Sequence, residues 1–501
     1  MKIKTDPAGI FGEYNRGVAY NTGIELYETV ERNENFYNDK QWEGVNAPDI
    51  DKPVFNFLKP VVNYYVSMLI SDDIAANIEI MGAGEAETRG VSQILSSEVD
   101  AVLERENMCF KNKKLIRNCA VDGDACCYLY FDPEQDAIRT EIVDNTNVYF
   151  GNPSTPEVES QPYILISYRR LTEEVQDEAQ KNGCPAEAIL PDEDDAYLNP
   201  NRDTENQYTT VVLKLWKERD GVHLCKVTRD AYVKKPVCVG YQCYPLSYMT
   251  WESKKNSYHG VSPLTGKITN QIYVNKLYAM SMEFTVKQAF PKILYDRTKL
   301  PDGWNSKVGQ AVAVAGNPND AIFASFAPAG LSSGVNTLIQ NTIAQTKDLM
   351  GASDSALGNV KPDNTSAIIA LQKASAMPLD IQKRDFYNFV EGYVRVMIEM
   401  MRVHYGVRRT MLKGDGENKT MVEFDFAEIG KYNMHLKVDI GEGSYWSELM
   451  QVETLNNLMD KNIIPDAKTY LEAVPDGYIK NKGKILAAVK AAGEQTKQSP
   501  G

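Results

Sequence analysis

The chain has 501 residues, 43 % of them hydrophobic, with dispersed proline and glycine and a formal net charge of −14. That excludes a disordered chain, leaves room for two to four domains, and argues against a protein that holds nucleic acid by neutralising phosphates. The opening MKIKTDPAGIFGEYNRG lacks a signal-peptide core and no apolar run reaches membrane-spanning length, so a chain without membrane contact in a cytoplasm-like compartment is predicted.

Residues 1–110 read as mostly helical, with amphipathic patterns at 24–36, 59–69 and 87–107 and a short helix at 111–122. From Cys126 to about Trp251 the chain turns β-rich. CCYLYF, IRTEIV, YILISYRRL and YTTVVLKLW carry β-branched and aromatic residues between turn signals. A helix is predicted at 172–181, the acidic PDEDDAYLNPNRDTEN reads as a solvated loop, and Asp220–Gly221 reads as a hairpin turn. Eight cysteines (109, 119, 126, 127, 184, 225, 238, 243) include no C-x-x-C pair and are predicted to act as small buried hydrophobes. His223, Cys225, Cys238 and Cys243 are the one zinc-like cluster, but H-x-C followed by C-x4-C is not a usual ligand spacing, so no metal site is expected.

Residues 261–405 hold the most distinctive pattern. A helix at 261–290 stops at Pro291, a segment with strand and turn signals closes at Pro328, and a second helix covers 331–350. On the first helix, Leu264, Ile268, Ile272, Val286 and Phe290 form one apolar flank, and Tyr273, Leu277, Met280 and Phe284 another. Thr269, Lys276, Glu283 and Lys287 make a polar stripe between them; Lys267, Gln271, Ser281, Thr285 and Gln288 make the opposite pole. A surface helix needs one apolar face. Two flanks suit a stave with neighbours on both sides, although the middle helix of a bundle is an equal reading of the pattern. Residues 261–350 carry eight Lys or Arg against five Asp or Glu, a mildly positive stalk in an acidic body.

The loop GASDSALGNVKPDN follows, broken by Gly351, Gly358 and Pro362 and predicted to be mobile. A long helix from about Thr365 to Tyr405 should kink at Pro378, with Leu379, Phe386, Phe389, Tyr393, Met397, Met400 and His404 on its apolar stripe. Strands near 421–426 and 435–440 and a helical module at 445–492 complete an α+β, multi-domain chain.

No catalytic or cofactor-binding residue can be assembled from spacing. GVSPLTGKI (260–268) misses the P-loop spacing by one residue and has Ile268 where a hydroxyl is needed. The G-x-G pairs lack a third glycine, and the four histidines form no triad or H-E-x-x-H. His404 reads as a satisfied core histidine, and Asp122 and Asp124 as turn residues more readily than a metal pair.

Several segments together resemble the portal proteins of tailed double-stranded DNA bacteriophages, the type common in long-tailed phages of Gram-positive hosts. They are FYNDKQW (36–42) with PVFNFLKPVVNYYVSML (53–69), then YHGVSPLTGKITNQIYVNKL (258–277), then NTSAIIALQKAS (364–375), in matching order. The resemblance implies a homo-oligomeric ring, usually of twelve subunits, at one capsid vertex. In it 1–258 would be wing, 259–290 and 329–350 stem helices, 291–328 an α/β clip, and 351–366 a channel loop. Residues 367–442 would be the long kinked helix with return strands of the wing, and 443–501 the crown and a disordered tail. It implies a structural, non-enzymatic conduit without cofactors, assembled in the bacterial cytoplasm and resident in the virion. Double-stranded DNA would pass through it during packaging and ejection. The implied partners are the terminase large subunit, a head-completion or tail adaptor, and the major capsid and scaffolding proteins. Lys276, Lys287, Asn359 and Lys361 become the candidate DNA-facing residues. The alternatives are another multimeric head–tail adaptor, or a nucleic-acid-processing enzyme whose site is not visible in sequence.

Overall fold

An Asp-Pro step starts the first helix: Asp6 caps it by accepting a 2.8 Å hydrogen bond from the Gly9 amide, and Pro7 needs no amide partner there. The computed structural model describes residues 3–48, 50–70, 74–81, 85–192, 207–288, 292–300, 314–317, 322–326, 333–352, 377–413, 419–431, 433–440 and short stretches between 452 and 486. Helices α1 (Pro7–Gly23), α2 (Leu26–Tyr37) and α3 (Leu58–Leu69) lead into β1 (Ile74–Met81), α4 (Glu85–Arg105) and α5 (Met108–Asp122). Strands β2 (Asp124–Asp132), β3 (Ala137–Val143), β4 (Val148–Phe150) and β5 (Tyr163–Leu171) come next, then α6 (Thr172–Lys181). The β-rich middle closes with β6 (Tyr208–Glu218), β7 (Gly221–Val227), β8 (Tyr232–Cys238) and β9 (Leu246–Thr250). After it come α7 (Ile268–Gln288), β10 (Lys292–Tyr295), β11 (Ile322–Phe326), α8 (Ser333–Leu349) and α9 (Asp380–His404). β12 (Val407–Lys413), β13 (Lys419–Asp425), β14 (Asn433–Ile440) and α10 (Ala467–Ala473) end the series.

The fold is therefore α+β, and the chain divides into two units. One comprises Met1–Thr29, Asn63–Ser262 and Lys361–Gly501, the other Val30–Val62 and Pro263–Val360. In the larger unit β4-β5-β6-β7-β8 form an antiparallel sheet, β3-β2-β9 a second, and β1–β14 and β12–β13 two-stranded pairs. Both faces of β6 are buried, which is why YTTVVLKLW reads as a near-continuous apolar run. α1 covers one face through Ile10, which packs with Tyr149, Val212, Trp216 and Cys225. α9 packs on β9 and β2 with Phe386, Phe389, Tyr393, Met397 and Met400 buried, the stripe its spacing predicts. His404, on the same stripe, stacks on Phe131 at 4.1 Å with its Nε2 2.7 Å from the Tyr241 hydroxyl, a satisfied half-buried histidine. Burial holds its pKa below the ordinary value.

Several expectations need correction. Helix α1 falls within the 1–110 stretch that reads as mostly helical, although its glycines obscure its period; Gly17 is required because a Cβ there would sit 2.6 Å from the Tyr149 ring. The sequence reading misses β1 and β12. Pro378 does not kink a continuous α-helix within the described residues: it lies in a 3-10 turn, Met377–Leu379, and α-helical geometry begins at Asp380. Residues 365–376, the acidic loop from 193 and most of 443–501 lie outside the described residues. The cysteines are not uniformly buried, since Cys109 and Cys238 are exposed and Cys243 is half-buried.

The signature residues Tyr258, His259 and Gly260 act within this unit as a lock. Tyr258 stacks on Phe150 at 4.7 Å, and its hydroxyl donates to the Val148 carbonyl at 3.0 Å. His259 Nδ1 lies 2.7 Å from Asp124 Oδ2, and Asp124 Oδ1 accepts from the Gly260 amide at 2.6 Å. Gly123 (φ +100°) and Gly260 cross so closely that a Cβ on Gly260 would meet the Gly123 carbonyl oxygen at 2.7 Å. Asp124 is thus committed to the lock, and Asp122 and Asp124 gather no third metal ligand among the described residues.

Glu106 is a second buried charge, bonded to Lys111 (2.8 Å), Arg139 (2.9 Å) and the Thr140 amide (2.8 Å). Burial pushes its carboxyl up, but Lys111, Thr140 and Arg139 outweigh that and lower it from 4.5 to about 2. A carboxylate with a depressed folded-state pKa stabilises above the unfolded value and loses that contribution as pH falls through the folded one. Between about pH 4.5 and 2, the wild type should lose ~1–2 kcal/mol more than Glu106→Gln, allowing for solvent screening of the partners. Denaturant titrations across that range check this; parallel losses in the two proteins would show that Glu106 is not responsible.

Candidate functional site

The candidate site lies in the smaller unit and begins at the root of α7. Leu264, Ile268, Val274 and Ala279 are buried, as apolar periodicity requires, and so are Gln271 and Asn275. These two amides, one helical turn apart, hold a neighbouring extended segment. Gln271 accepts from the Phe57 amide at 3.1 Å and donates to the Phe55 carbonyl at 2.8 Å, while Asn275 accepts from the Phe55 amide at 3.2 Å. Asn275 also donates to Gln41 Oε1 at 2.6 Å, and Gln41 donates to the Phe36 carbonyl at 3.0 Å. The buried Phe57 amide and the half-covered Phe55 amide and carbonyl are satisfied by side chains in the way a sheet neighbour would satisfy them. The sequence reading assigned Gln271 to a solvent-facing polar pole; the structure corrects this, because the pole's inner half faces the 55–57 segment.

Beyond the root the arm is thinly covered. From 280 to 287 no side chain of α7 is buried, and Met280, Met282 and Val286 stand 63 %, 41 % and 66 % exposed. Tyr273, on the same predicted flank as Met280, is exposed as well. On α8, residues 334–349 bury only Ile339 and Thr346, with Leu338 and Leu349 exposed. The helices run antiparallel: Asn270, near the start of α7, donates to Thr346 Oγ1 near the end of α8 at 2.9 Å. The intervening chain makes an antiparallel pair, β10–β11, with Lys292 opposite Phe326. By helical rise α7 spans about 31 Å and α8 about 25 Å. Gly351, at φ +70°, ends α8: its amide bonds to Asp348 and the Ala352 amide to Lys347 across the turn, so the predicted breaker acts as a C-cap.

Lys276 and Lys287 both lie on the exposed side of α7, about 20° apart in projection. Lys287 pairs with Glu283 one turn earlier, which leaves that end of the stripe locally neutral. Lys276 has Ile272, Tyr273, Ala279 and Met280 at the neighbouring helical positions, none of them acidic. Asn359 and Lys361 lie outside the described residues.

The larger unit holds a cavity of about 620 Å³, lined by Tyr128, Phe131, Glu141, Tyr168, Lys226 and Tyr241 among others. Burial raises the Glu141 carboxyl, which also accepts a long hydrogen bond from Tyr168 (3.4 Å), and lowers the Lys234 ammonium. Perturbed groups in a cleft are where an active site is first sought. Two of the lining cations are already paired: Lys226 and Arg170 both bind Glu178, at 2.5 and 2.7 Å, and His404 is held by Tyr241. Glu141 and Lys234 stay outside these pairs, and the lining residues offer no nucleophile–base pair. Comparison with protein-family models and with curated proteins finds no match.

Proposed function

We propose that this chain is the subunit of a phage portal, a ring through which double-stranded DNA is packaged and ejected. The observation that carries the proposal is the arm in the smaller unit, two long antiparallel helices joined through a β pair and bare of packing over much of their length. An isolated pair of helices with this little buried surface gains too little from burial to order itself alone. Copies of the same arm packed side by side around an axis would supply the missing contacts, with the unit's polar stripe left free for the lumen. The resemblance in motif order supports the same reading, and under it α7 and α8 are the stem, β10–β11 belongs to the clip, and Lys276 faces DNA. Contacts with DNA that must slide are few and solvated, which a lone lysine in a mildly basic arm suits. The docking of a terminase motor and a tail adaptor at the clip, and of capsid and scaffolding proteins around the ring, follows from the same reading.

The test is native mass measurement and negative-stain microscopy of the purified full chain. A discrete species of about twelve subunits with an axial hole is the expected result. A compact monomer at micromolar concentration would count decisively against the proposal. The enzyme alternative rests on the cavity beside Glu141 and is the weaker one, because two of its cations are taken by Glu178 and burial raises the Tyr168 hydroxyl beside Glu141.

A further inference from the structure

The geometry points to a zinc site at the β6–β7 turn of the larger unit, and we propose that Asp220, His223 and Cys238 bind one Zn²⁺ ion. Their ligand atoms all lie within 4.8 Å of one another. The sheet brings them together in a way their spacing conceals. His223 is the register partner of Trp216 on β6 and of Cys238 on β8, so the three side chains form one row across the sheet. Directly opposed residues hold their Cβ atoms about 5 Å apart, close enough for an imidazole and a thiolate to share an ion. Asp220 belongs to the tight turn that starts β7, and its Oδ1 sits 2.9 Å from His223 Nε2.

The row is held rigidly. Gly221 has φ +133°, and a Cβ there would meet the Tyr241 carbonyl oxygen at 2.9 Å, so the turn lies tight against the chain after β8. The Val222 amide donates to that same carbonyl at 2.8 Å, and the Val239 amide donates to Val222 at 2.9 Å. On its other side the His223 ring stacks on the buried Trp216 indole at 5.5 Å, which limits its rotation. Only the Asp220 carboxylate and the Cys238 thiol, both exposed, need to adjust to bring the ligands to the roughly 3.5 Å separations of a tetrahedral Zn²⁺ site.

The ligand chemistry selects the ion. A thiolate and an imidazole favour zinc over calcium or magnesium, which take oxygen ligands, and one carboxylate completes a three-residue set whose fourth position opens to water. On binding, Cys238 releases its thiol proton to solvent, and His223 meets the metal through Nε2 as a neutral imidazole with its ring proton on Nδ1, while Asp220 binds as the carboxylate. Cys225 is no part of the site. It lies two residues further along β7, packed with Ile10 and Tyr149, and burial pushes its thiol up to about 12.

The test uses the untagged, full-length, reduced chain, titrated with Co²⁺ as a spectroscopic stand-in for zinc and then with Zn²⁺. One equivalent of Co²⁺ should produce a thiolate-to-metal charge-transfer band and tetrahedral ligand-field bands, and Zn²⁺ should displace both. Cys238→Ser should abolish the charge-transfer band. His223→Ala and Asp220→Asn should each weaken binding at least ~10-fold, while Cys109→Ser leaves it unchanged. In the wild type, Zn²⁺ should protect Cys238 but not Cys109 from alkylation, read by peptide mass mapping, which needs no variant to fold. A missing band at stoichiometric metal, a band that survives in Cys238→Ser, or alkylation of Cys238 unaffected by Zn²⁺ would each overturn the proposal.

Discussion

Glu13→Ala should be the most damaging single substitution at a buried charge, lowering unfolding free energy by about 3–5 kcal/mol. Glu13 on α1 and Lys214 in the centre of β6 form an ion pair at 2.5 Å with side-chain exposures of 1 % and 0 %. Lys214 Nζ also donates to the Lys4 carbonyl at 2.8 Å and lies 4.7 Å from the centre of the Tyr163 ring. The ammonium is therefore satisfied by a carboxylate of α1, a carbonyl of the segment before it and an aromatic face of the neighbouring strand β5. Removing the carboxylate leaves a positive charge in the core with one strong partner, and the cost is dominated by that stranded charge rather than by the lost attraction. Two comparisons separate the causes. Glu13→Gln keeps a hydrogen-bond acceptor and should cost less than alanine. The double change Glu13→Met with Lys214→Met removes both charges and should recover most of the loss, because a buried pair contributes little net stability over apolar residues of similar volume. Urea denaturation of the three proteins decides it; a double variant as unstable as Glu13→Ala would show that packing, not charge, governs the site.

This pair also shows where sequence reading stops. The strands with β-branched runs, the helix Thr172–Lys181, the hairpin at Asp220–Gly221 and the stripe of α9 are legible because their periodicity is local. Lys214 looks like the polar position of an alternating strand, and nothing within the strand reveals a partner 201 residues away. Strand β1, IAANIEIM, is short and pairs with β14 at the far end of the chain, so its identity depends on a segment no local window contains. At the candidate site the two helices and the exposed Thr269–Lys276–Lys287 stripe were legible. The burial of Gln271 and Asn275 was not, since hydropathy treats an amide as solvent-seeking even when a backbone segment supplies its hydrogen bonds. For the same reason His223 and Cys238 looked badly spaced along the chain, while cross-strand register sets them side by side.

Under the portal reading, Met280→Asp combined with Val286→Asp should leave the chain monomeric in place of rings, without unfolding the subunit. In the single chain these side chains are 63 % and 66 % exposed, so an aspartate at either position costs the isolated subunit little beyond helix propensity, about 0.5 kcal/mol each. In a ring the same positions would be covered by a neighbouring arm. Each replacement then forfeits ~2 kcal/mol of apolar burial and adds the cost of desolvating a carboxylate, so every interface should weaken by at least ~100-fold. Because each subunit contributes to two interfaces of a closed ring, the loss is felt on both sides of every copy. Lys276→Ala is the contrasting substitution. Its side chain is on the exposed stripe, and under the portal reading it faces the lumen, so rings should form normally while DNA retention becomes less sensitive to salt. Sedimentation velocity of the three proteins, with thermal melts to check the fold, separates these outcomes. Intact rings from the double aspartate variant would remove α7 from the interface, and with it the observation on which the portal assignment rests.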